Sequence, residues 1–204
     1  MSDDAPLVRT LTQLRAAEAA CTRCPLYRGA TQVVPGEGPG KAKLLVVGEQ
    51  PGDKEDIAGH PFVGPAGKVL DRALEEAGIL RETAFVTNAV KHFKHEMRGK
   101  RRLHKKPNAY EIDRCKWWLD SERRILKARV VVALGATALR SLTGRTTAIS
   151  AMRGQEQRLD DGAALVATIH PSYLLRIREE ADKRVQYRQF VQDLERAAAL
   201  LTTS

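Results

Sequence analysis

The stretch KLLVVG at residues 43–48 is a short apolar run that ends in a glycine. A parallel strand with both faces buried has this continuous pattern, whereas a strand with one face in water alternates apolar and polar residues. Three similar runs follow along the chain: AFVTNAV at 84–90, RVVVALG at 129–135 and ALVATIHP at 164–171. We expect these four runs to form one buried sheet.

Helical patterns lie between and after the four runs, at 66–77, 109–126, 136–143 and 179–201. A further helix is expected to begin near Leu7 and to end near Cys21, because apolar residues recur there at helical spacing. Strands that alternate with helices predict an α/β fold, in which helices flank a parallel sheet. No repeat or low-complexity linker interrupts the pattern, so residues 1–204 are expected to form a single domain.

The composition is that of a soluble globular protein, with 43% hydrophobic and 29% charged residues in a chain of 204. No apolar run approaches the roughly 18 residues that a membrane span needs. The N-terminus lacks the order of charge, apolar run and cleavage site of a signal peptide. We therefore expect a cytoplasmic protein with no membrane partner.

The segment KHFKHEMRGKRRLHKK at residues 91–106 contains eight basic residues, a single acid and three of the five histidines. The rest of the chain has 26 basic and 24 acidic residues, so its formal charge is +2 instead of +9. A cationic loop of this kind is suited to bind a polyanion such as DNA. His104 ends the segment, and imidazole is the side chain best suited to act as a base or nucleophile near neutral pH.

Three loops with unusual chemistry follow the predicted strands. They are GEQPGDKEDIAGHPFVGPAG at 48–67, the basic segment, and HPSYLL at 170–175. Sheets of this class bind ligands beyond the carboxyl ends of their strands, so we expect the loops to meet at one edge. The first loop is long enough to suggest a function. It lacks the lysine and hydroxyl pair of a Walker loop and the spacing of a dinucleotide fingerprint, which disfavours nucleotide-phosphate binding.

The three cysteines of the chain point to a metal site. Cys21 and Cys24 have the CxxC spacing of a chelating pair, and Cys115 provides a third thiol. Three cysteines cannot all pair as disulfides, and a fourth ligand must then be a different residue. Histidine is the obvious donor, from His92 or His95, and the residue types allow either zinc or an iron–sulfur cluster.

Taken together, GEQPGDKEDIAGHPFVGPAG, TNAVKHFK and HPS resemble the uracil-DNA glycosylase superfamily, and most closely its iron–sulfur family-four enzymes. The GKRRLH loop resembles that of the UdgX subgroup, whose signature is KRRIH; Leu103 stands at the fourth position of that run here. The cysteine of the family-four motif NxVKC is His92 in this chain, as the subgroup has it. The resemblance implies a 4Fe–4S cluster, with zinc as the alternative, on the four residues Cys21, Cys24, His92 and Cys115.

The resemblance also implies a three-layer α/β/α sandwich with a mainly parallel, four-stranded sheet. Such a protein repairs DNA by excising uracil, here mainly from single strands and as a monomer. Asn88 would read the Watson–Crick edge of the base, Phe62 would stack on its face, and the backbone of Gln50 would hold the pyrimidine oxygens. His170 would stabilise the charge that develops on uracil O2.

In proteins that resemble UdgX, the histidine of the KRRIH run takes the place of water and stays bonded to the sugar. His104 is therefore expected to be the nucleophile, with Glu49 orienting it and accepting its proton. Arg102 would hold the loop near the site through Asp53 or Asp56. Two other hypotheses remain: a conventional glycosylase that turns over, and a metal-containing DNA-binding module without catalysis.

Overall fold

A mainly parallel sheet forms the centre of the molecule. The computed structural model describes residues 8–155 and 157–203. In chain order the strands are β1 (Leu44–Gly48), β2 (Ala84–Asn88), β3 (His95–Arg98), β4 (Arg101–His104), β5 (Val130–Leu134), β6 (Gln157–Arg158) and β7 (Ala164–Thr168). The central sheet has the order β2-β1-β5-β7-β6. Every residue of β1, β2, β5 and β7 is buried, as the four apolar runs predict.

The α/β class with a mainly parallel sheet is confirmed, and the sheet gains one strand beyond the four that were expected. Strand β6 pairs antiparallel with β7 at the edge of the sheet. It has only two residues, Gln157 and Arg158, and both are polar, so hydrophobic periodicity could not reveal it.

The basic segment contains a second, two-stranded sheet where the sequence predicts only a loop. Strands β3 and β4 pair antiparallel, and His95 lies directly opposite His104. The turn between them contains Gly99 at φ 60°, a conformation that glycine adopts without steric cost. We call residues 94–105 the basic hairpin.

The helices are α1 (Leu11–Ala19), α2 (Asp53–Ala58), α3 (Pro65–Glu76), α4 (Ala109–Leu126), α5 (Ala136–Thr143), α6 (Ile149–Met152), α7 (Pro171–Leu174) and α8 (Glu180–Thr202). The long helices agree with the predicted ranges to within about two residues at each end. Leu7, where the first helix was expected to begin, lies outside the described residues. The short helices α2 and α7 lie in the loops at 48–67 and 170–175. Within 8–155 and 157–203, no helix combines the length and apolar character that crossing a membrane requires.

Two helical layers cover the faces of the sheet. On one face, Leu44 and Val46 of β1 belong to a core formed with α3 and α8. On the other face, Leu45 and Val47 belong to a core formed with α4 and α5. Burying each such side chain contributes about 1.5–3 kcal/mol to the stability of the fold. The close packing of the two cores therefore fixes the positions of the strand ends. The three-layer α/β/α arrangement is confirmed.

The strand connections change direction next to β1. From β1 the chain moves to β2 on one side, while β5 and β7 lie on the other side. The carboxyl ends of β1 and β5 therefore flank a topological switch point, where sheets of this class bind their ligands.

Candidate active site

Four polar side chains lie at or just beyond the carboxyl ends of the parallel strands. Glu49 follows β1, Asn88 ends β2, Thr137 stands in the first turn of the helix after β5, and His170 follows β7. The register pairs Gly48 with Asn88, so these strands end at the same level. The convergence at one sheet edge follows directly from the parallel topology.

Phe62 and Asn88 lie next to each other in an arrangement that two glycines make possible. A Cβ at Gly48 would clash with Oδ1 of Asn88 and would lie 2.6 Å from Cζ of Phe62. A Cβ at Gly67 would collide with the backbone carbonyl of Phe62. Phe62 itself has φ 58°, a left-handed conformation that costs a bulky residue about 1–3 kcal/mol. Backbone strain of this kind is concentrated at functional sites, and here it fixes an aromatic ring beside Asn88.

Asn88 has an unused hydrogen-bond acceptor beside Phe62. Its side chain is 2% exposed, and its Oδ1 has no hydrogen-bond partner among the described residues. A buried polar atom without a partner costs about 1–3 kcal/mol. Such an atom is therefore a site at which a ligand can donate an N–H group.

His170 is a neutral hydrogen-bond donor at neutral pH. Burial lowers its pKa to about 4, although the nearby Glu49 carboxylate acts in the opposite direction. The backbone N–H of Ser172 donates to Nδ1 of His170 at 3.2 Å. Because Nδ1 accepts, the single proton of the neutral ring resides on Nε2. The ring also stacks on Phe62, with centroids 6.1 Å apart.

Glu49 lies between His104 and Thr137. Its Oε1 is 3.3 Å from Nε2 of His104, and its Oε2 accepts a hydrogen bond of 2.5 Å from Oγ1 of Thr137. Burial alone would raise the pKa of Glu49, but hydrogen bonds from His104 and Thr137, together with the electrostatic effect of His104, outweigh it and hold the pKa below its usual value. Glu49 is therefore an ionised carboxylate in contact with an imidazole whose side chain is 48% exposed.

Arg102 attaches the basic hairpin to helix α2. Its Nε donates to Oδ1 of Asp53 at 2.6 Å, and its Nη1 donates to Oδ2 of Asp56 at 2.5 Å. Nη1 also lies 3.0 Å from the hydroxyl oxygen of Thr31. Asp56 is fully buried, so this contact is shielded from solvent and is stronger than an exposed ion pair. The structure thus brings together all three residues that the sequence assigned to positioning the loop.

Gln50 makes a second attachment. Its side-chain Nε2 donates to the carbonyl oxygens of Lys105 at 3.0 Å and Lys94 at 3.2 Å, and its Oε1 accepts from the backbone N–H of Lys94. These contacts lie at the base of the basic hairpin, where the two strands join the body of the protein. The Gln50 side chain is thus engaged by the hairpin, and only its backbone remains for the role expected in binding a pyrimidine.

The expected metal ligands are buried together with N–H donors. Cys21, Cys24, His92 and Cys115 are all less than 9% exposed. Cys21 and Cys115 share an apolar cluster between α1 and α4. The backbone N–H of Lys91 donates to Sγ of Cys115, and the indole N–H of Trp118 donates to Sγ of Cys21, both at 3.2 Å. Donors aimed at sulfur suit thiolate ligands, so this environment fits a metal group bound by cysteine.

In the described part of the chain, no three His, Cys, Asp or Glu side chains converge as ligands of one metal ion. The other histidine candidate, His95, belongs to the basic hairpin and stacks on Phe93, which precedes the hairpin, with centroids 5.0 Å apart.

Sequence reasoning missed Thr137, Thr31 and the role of the Gln50 side chain. Thr137 follows a predicted strand, like the other site residues, so the rule about carboxyl ends could have found it. Thr31 lies between the CxxC pair and β1, in a stretch with no recognised pattern, and gave no such signal.

Comparison with known proteins gives a consistent family. The model of the uracil DNA glycosylase superfamily matches residues 35–195. A type-4 uracil-DNA glycosylase of Thermotoga maritima is 37% identical over 182 residues, covering 89% of each chain. Those of Pyrobaculum aerophilum and Archaeoglobus fulgidus are 38% and 32% identical, covering 76% and 79% of this chain and 80% and 82% of their own. The chain therefore belongs to the uracil-DNA glycosylase superfamily.

Proposed function

We propose that the protein is a DNA-repair enzyme that excises uracil, mainly from single-stranded DNA, and then remains covalently bound to the abasic sugar through His104. The observation that carries this proposal is the 3.3 Å contact between Nε2 of His104 and Oε1 of Glu49. The contact joins an imidazole to an ionised carboxylate at the strand ends, and the proposal assigns these two groups as nucleophile and base. The type-4 relatives support the excision of uracil.

The base is recognised by Asn88 and Phe62. The unused Oδ1 of Asn88 accepts the N3–H of uracil, and its amide nitrogen donates to O4. Phe62 supplies the stacking face, and the backbone of Gln50 holds the pyrimidine oxygens. A pocket that reads the edge of a base needs the base out of its stack, which costs least in a single strand. The lower cost of unstacking the base supports the preference for single-stranded DNA.

Cleavage depends on stabilising the leaving group. When the C1′–N1 bond breaks, its electron pair stays on uracil and the sugar becomes an oxocarbenium ion. The Nε2–H of His170 donates to uracil O2, where negative charge develops. A neutral histidine can fill this role because its Nδ1 accepts from Ser172, which leaves the ring proton on Nε2.

The trapping step follows at C1′. Glu49 accepts the proton of His104 Nε2 on Oε1, and the freed electron pair on Nε2 forms the bond to the oxocarbenium carbon. The products are a sugar bonded to His104, a protonated Glu49 and a uracil anion that regains its proton from the site or from water. No oxidant or further reactant is needed.

The basic hairpin provides the contact with the DNA backbone. It presents several exposed cationic side chains, among them Lys100 and Arg101. Their interaction with phosphates releases counterions and draws the strand across the sheet edge. The protein acts as a monomer in this scheme.

Cys21, Cys24, His92 and Cys115 hold a 4Fe–4S cluster in this proposal, and zinc is the alternative. When bound, the cluster serves as a structural crosslink. Its ligands would connect the segment after α1, which contains Cys21 and Cys24, to Cys115 of α4 and to His92, which precedes the basic hairpin. Protein prepared without oxygen should contain iron and sulfide near four each per chain. Stoichiometric zinc without sulfide would overturn this assignment.

One experiment separates the proposal from its alternatives. The protein is incubated with uracil-containing single-stranded DNA, and the mixture is run on a denaturing gel before and after alkali. A complex that survives denaturation is the expected result. A strand cut by alkali without a complex would indicate a conventional glycosylase. Intact DNA would indicate a binding module without catalysis.

A further inference from the structure

Thr137 makes a contact that no role described above requires. It is the second residue of α5 and is 3% exposed, and its hydroxyl donates to Oε2 of Glu49 at 2.5 Å. The other carboxylate oxygen, Oε1, is the one that lies near His104. The two oxygens of Glu49 are thus divided between two partners.

The packing of α5 against the core fixes the position of the Thr137 hydroxyl. Helix α5 begins after Gly135, whose N–H donates to the carbonyl of Thr168 at 2.8 Å and so links β5 to β7. The next two residues, Ala138 and Leu139, are fully buried against the sheet. The backbone of Thr137 therefore has a fixed position, and the Glu49 side chain, which has more rotatable bonds, is the partner that must adapt.

Without the hydrogen bond from Thr137, the Glu49 carboxylate could adopt other orientations. Glu49 could turn either oxygen towards His104 or towards water, because its side chain is 22% exposed. The hydrogen bond from Thr137 also favours the ionised form of Glu49 against the effect of burial. Both effects act on the same group: a proton acceptor must be ionised and must face the proton that it takes.

We infer that Thr137 is a positioning residue, which occupies Oε2 of Glu49 and so directs Oε1 to His104. It touches neither the substrate nor the reacting atoms and acts only through Glu49. This inference rests on the proposed function, since the proton transfer that it assists is the trapping step described above. Thr137 lies at the switch point between β1 and β5, and none of the family motifs quoted above includes it.

Two substitutions at Thr137 form a matched pair. Thr137→Val removes the hydroxyl and keeps the shape, whereas Thr137→Ser keeps the hydroxyl and removes a methyl group. Thermal unfolding shows whether each variant is folded. The rate at which the denaturation-resistant adduct forms on single-stranded uracil DNA is then measured as a function of pH.

We expect Thr137→Val to slow the adduct by about 10- to 100-fold, the effect of one hydrogen bond to a charged group. The sign of the pH effect follows from Glu49. Its depressed pKa keeps the carboxylate ionised as pH falls, so losing the donor should move the acid limb of the profile to higher pH. Thr137→Ser should resemble the unaltered protein. Equal rates and profiles for all three proteins would overturn the inference.

A second measurement does not depend on activity. The carboxyl carbon of Glu49 can be followed by 13C NMR during a pH titration, with Glu49→Gln to assign its signal. The inference expects the Glu49 pKa to rise in Thr137→Val and to stay in place in Thr137→Ser. An unchanged Glu49 titration in Thr137→Val would contradict it. If the unaltered protein forms no adduct, the trapping proposal fails, and this titration still decides whether Thr137 controls Glu49.

Discussion

The two sides of the Glu49–His104 contact are built in different ways. Glu49, Asn88 and His170 belong to the sheet edge, where Asn88 ends and the other two follow strands in which every residue is buried. His104 belongs to the basic hairpin, whose strands have four residues each and are largely exposed. A two-stranded hairpin has little stability of its own in water, so its attachments decide where His104 lies.

This difference separates the two halves of the proposed chemistry. The groups proposed to recognise uracil and to stabilise its departure are fixed by the hydrophobic core. The group proposed to capture the sugar is held mainly by polar contacts from Arg102 and Gln50. Changes at Asn88 or His170 should therefore reduce excision, while changes at Glu49 or in the hairpin should alter what happens to the sugar afterwards.

The largest effect is expected at the sheet edge. Asn88→Ala removes the group that reads the edge of uracil, and excision should fall on the order of 10³-fold, since a site built to hydrogen-bond its substrate loses most of its discrimination without that bond. The release of uracil from single-stranded DNA is the measurement. The salt dependence of DNA binding should not change, because the hairpin is untouched. Excision at the unaltered rate would remove Asn88 from the site.

An intermediate effect is expected where the hairpin is attached. Arg102→Gln loses the contacts with Asp53 and Asp56, so His104 should be misplaced and the adduct should form about 10- to 100-fold more slowly. Arg101→Gln is the matched control, because Arg101 is the exposed neighbour on the same strand and this substitution removes the same charge. Adduct formation is compared on denaturing gels. If both variants slow it equally, charge and not attachment explains the role of Arg102.

The smallest effect is expected at the exposed tip of the hairpin. Lys100→Gln removes one cation that can contact a phosphate, so the slope of log affinity against log salt should fall by about 0.7 for single-stranded DNA. Binding titrations with uracil-free single-stranded DNA at several salt concentrations measure this slope without any reaction. A slope unchanged by the substitution would assign Lys100 to the solvated surface.

The same contrast explains how much the sequence could reveal. The four buried strands have a continuous apolar pattern, and parallel topology then places Asn88 and His170 at one edge. The hairpin has no such pattern, because its strands are exposed and basic, and its turn is visible only as a lone glycine. The two-residue strand β6 is too short for any periodicity.

The contacts of Glu49 were harder to foresee. Its partners, Thr137 and His104, are separated from it by 88 and 55 positions along the chain. Only the packing of β5 beside β1, and the attachment of the hairpin by Gln50 and Arg102, bring them together. The roles of His104, the metal ligands and the single-strand preference came from the family resemblance and stay predictions.

The most direct test of this account replaces His104 with serine and measures two products in one reaction on uracil-containing single-stranded DNA. Free uracil reports cleavage, and the denaturation-resistant complex reports trapping. We expect His104→Ser to form no complex and still to release uracil over repeated turnovers, because the sheet edge is intact and a water oriented by Glu49 can fill the space. Glu49→Gln should instead slow adduct formation in the protein that keeps His104. If His104→Ser neither releases uracil nor forms a complex, bond cleavage itself needs His104, and the separation between sheet edge and hairpin is wrong.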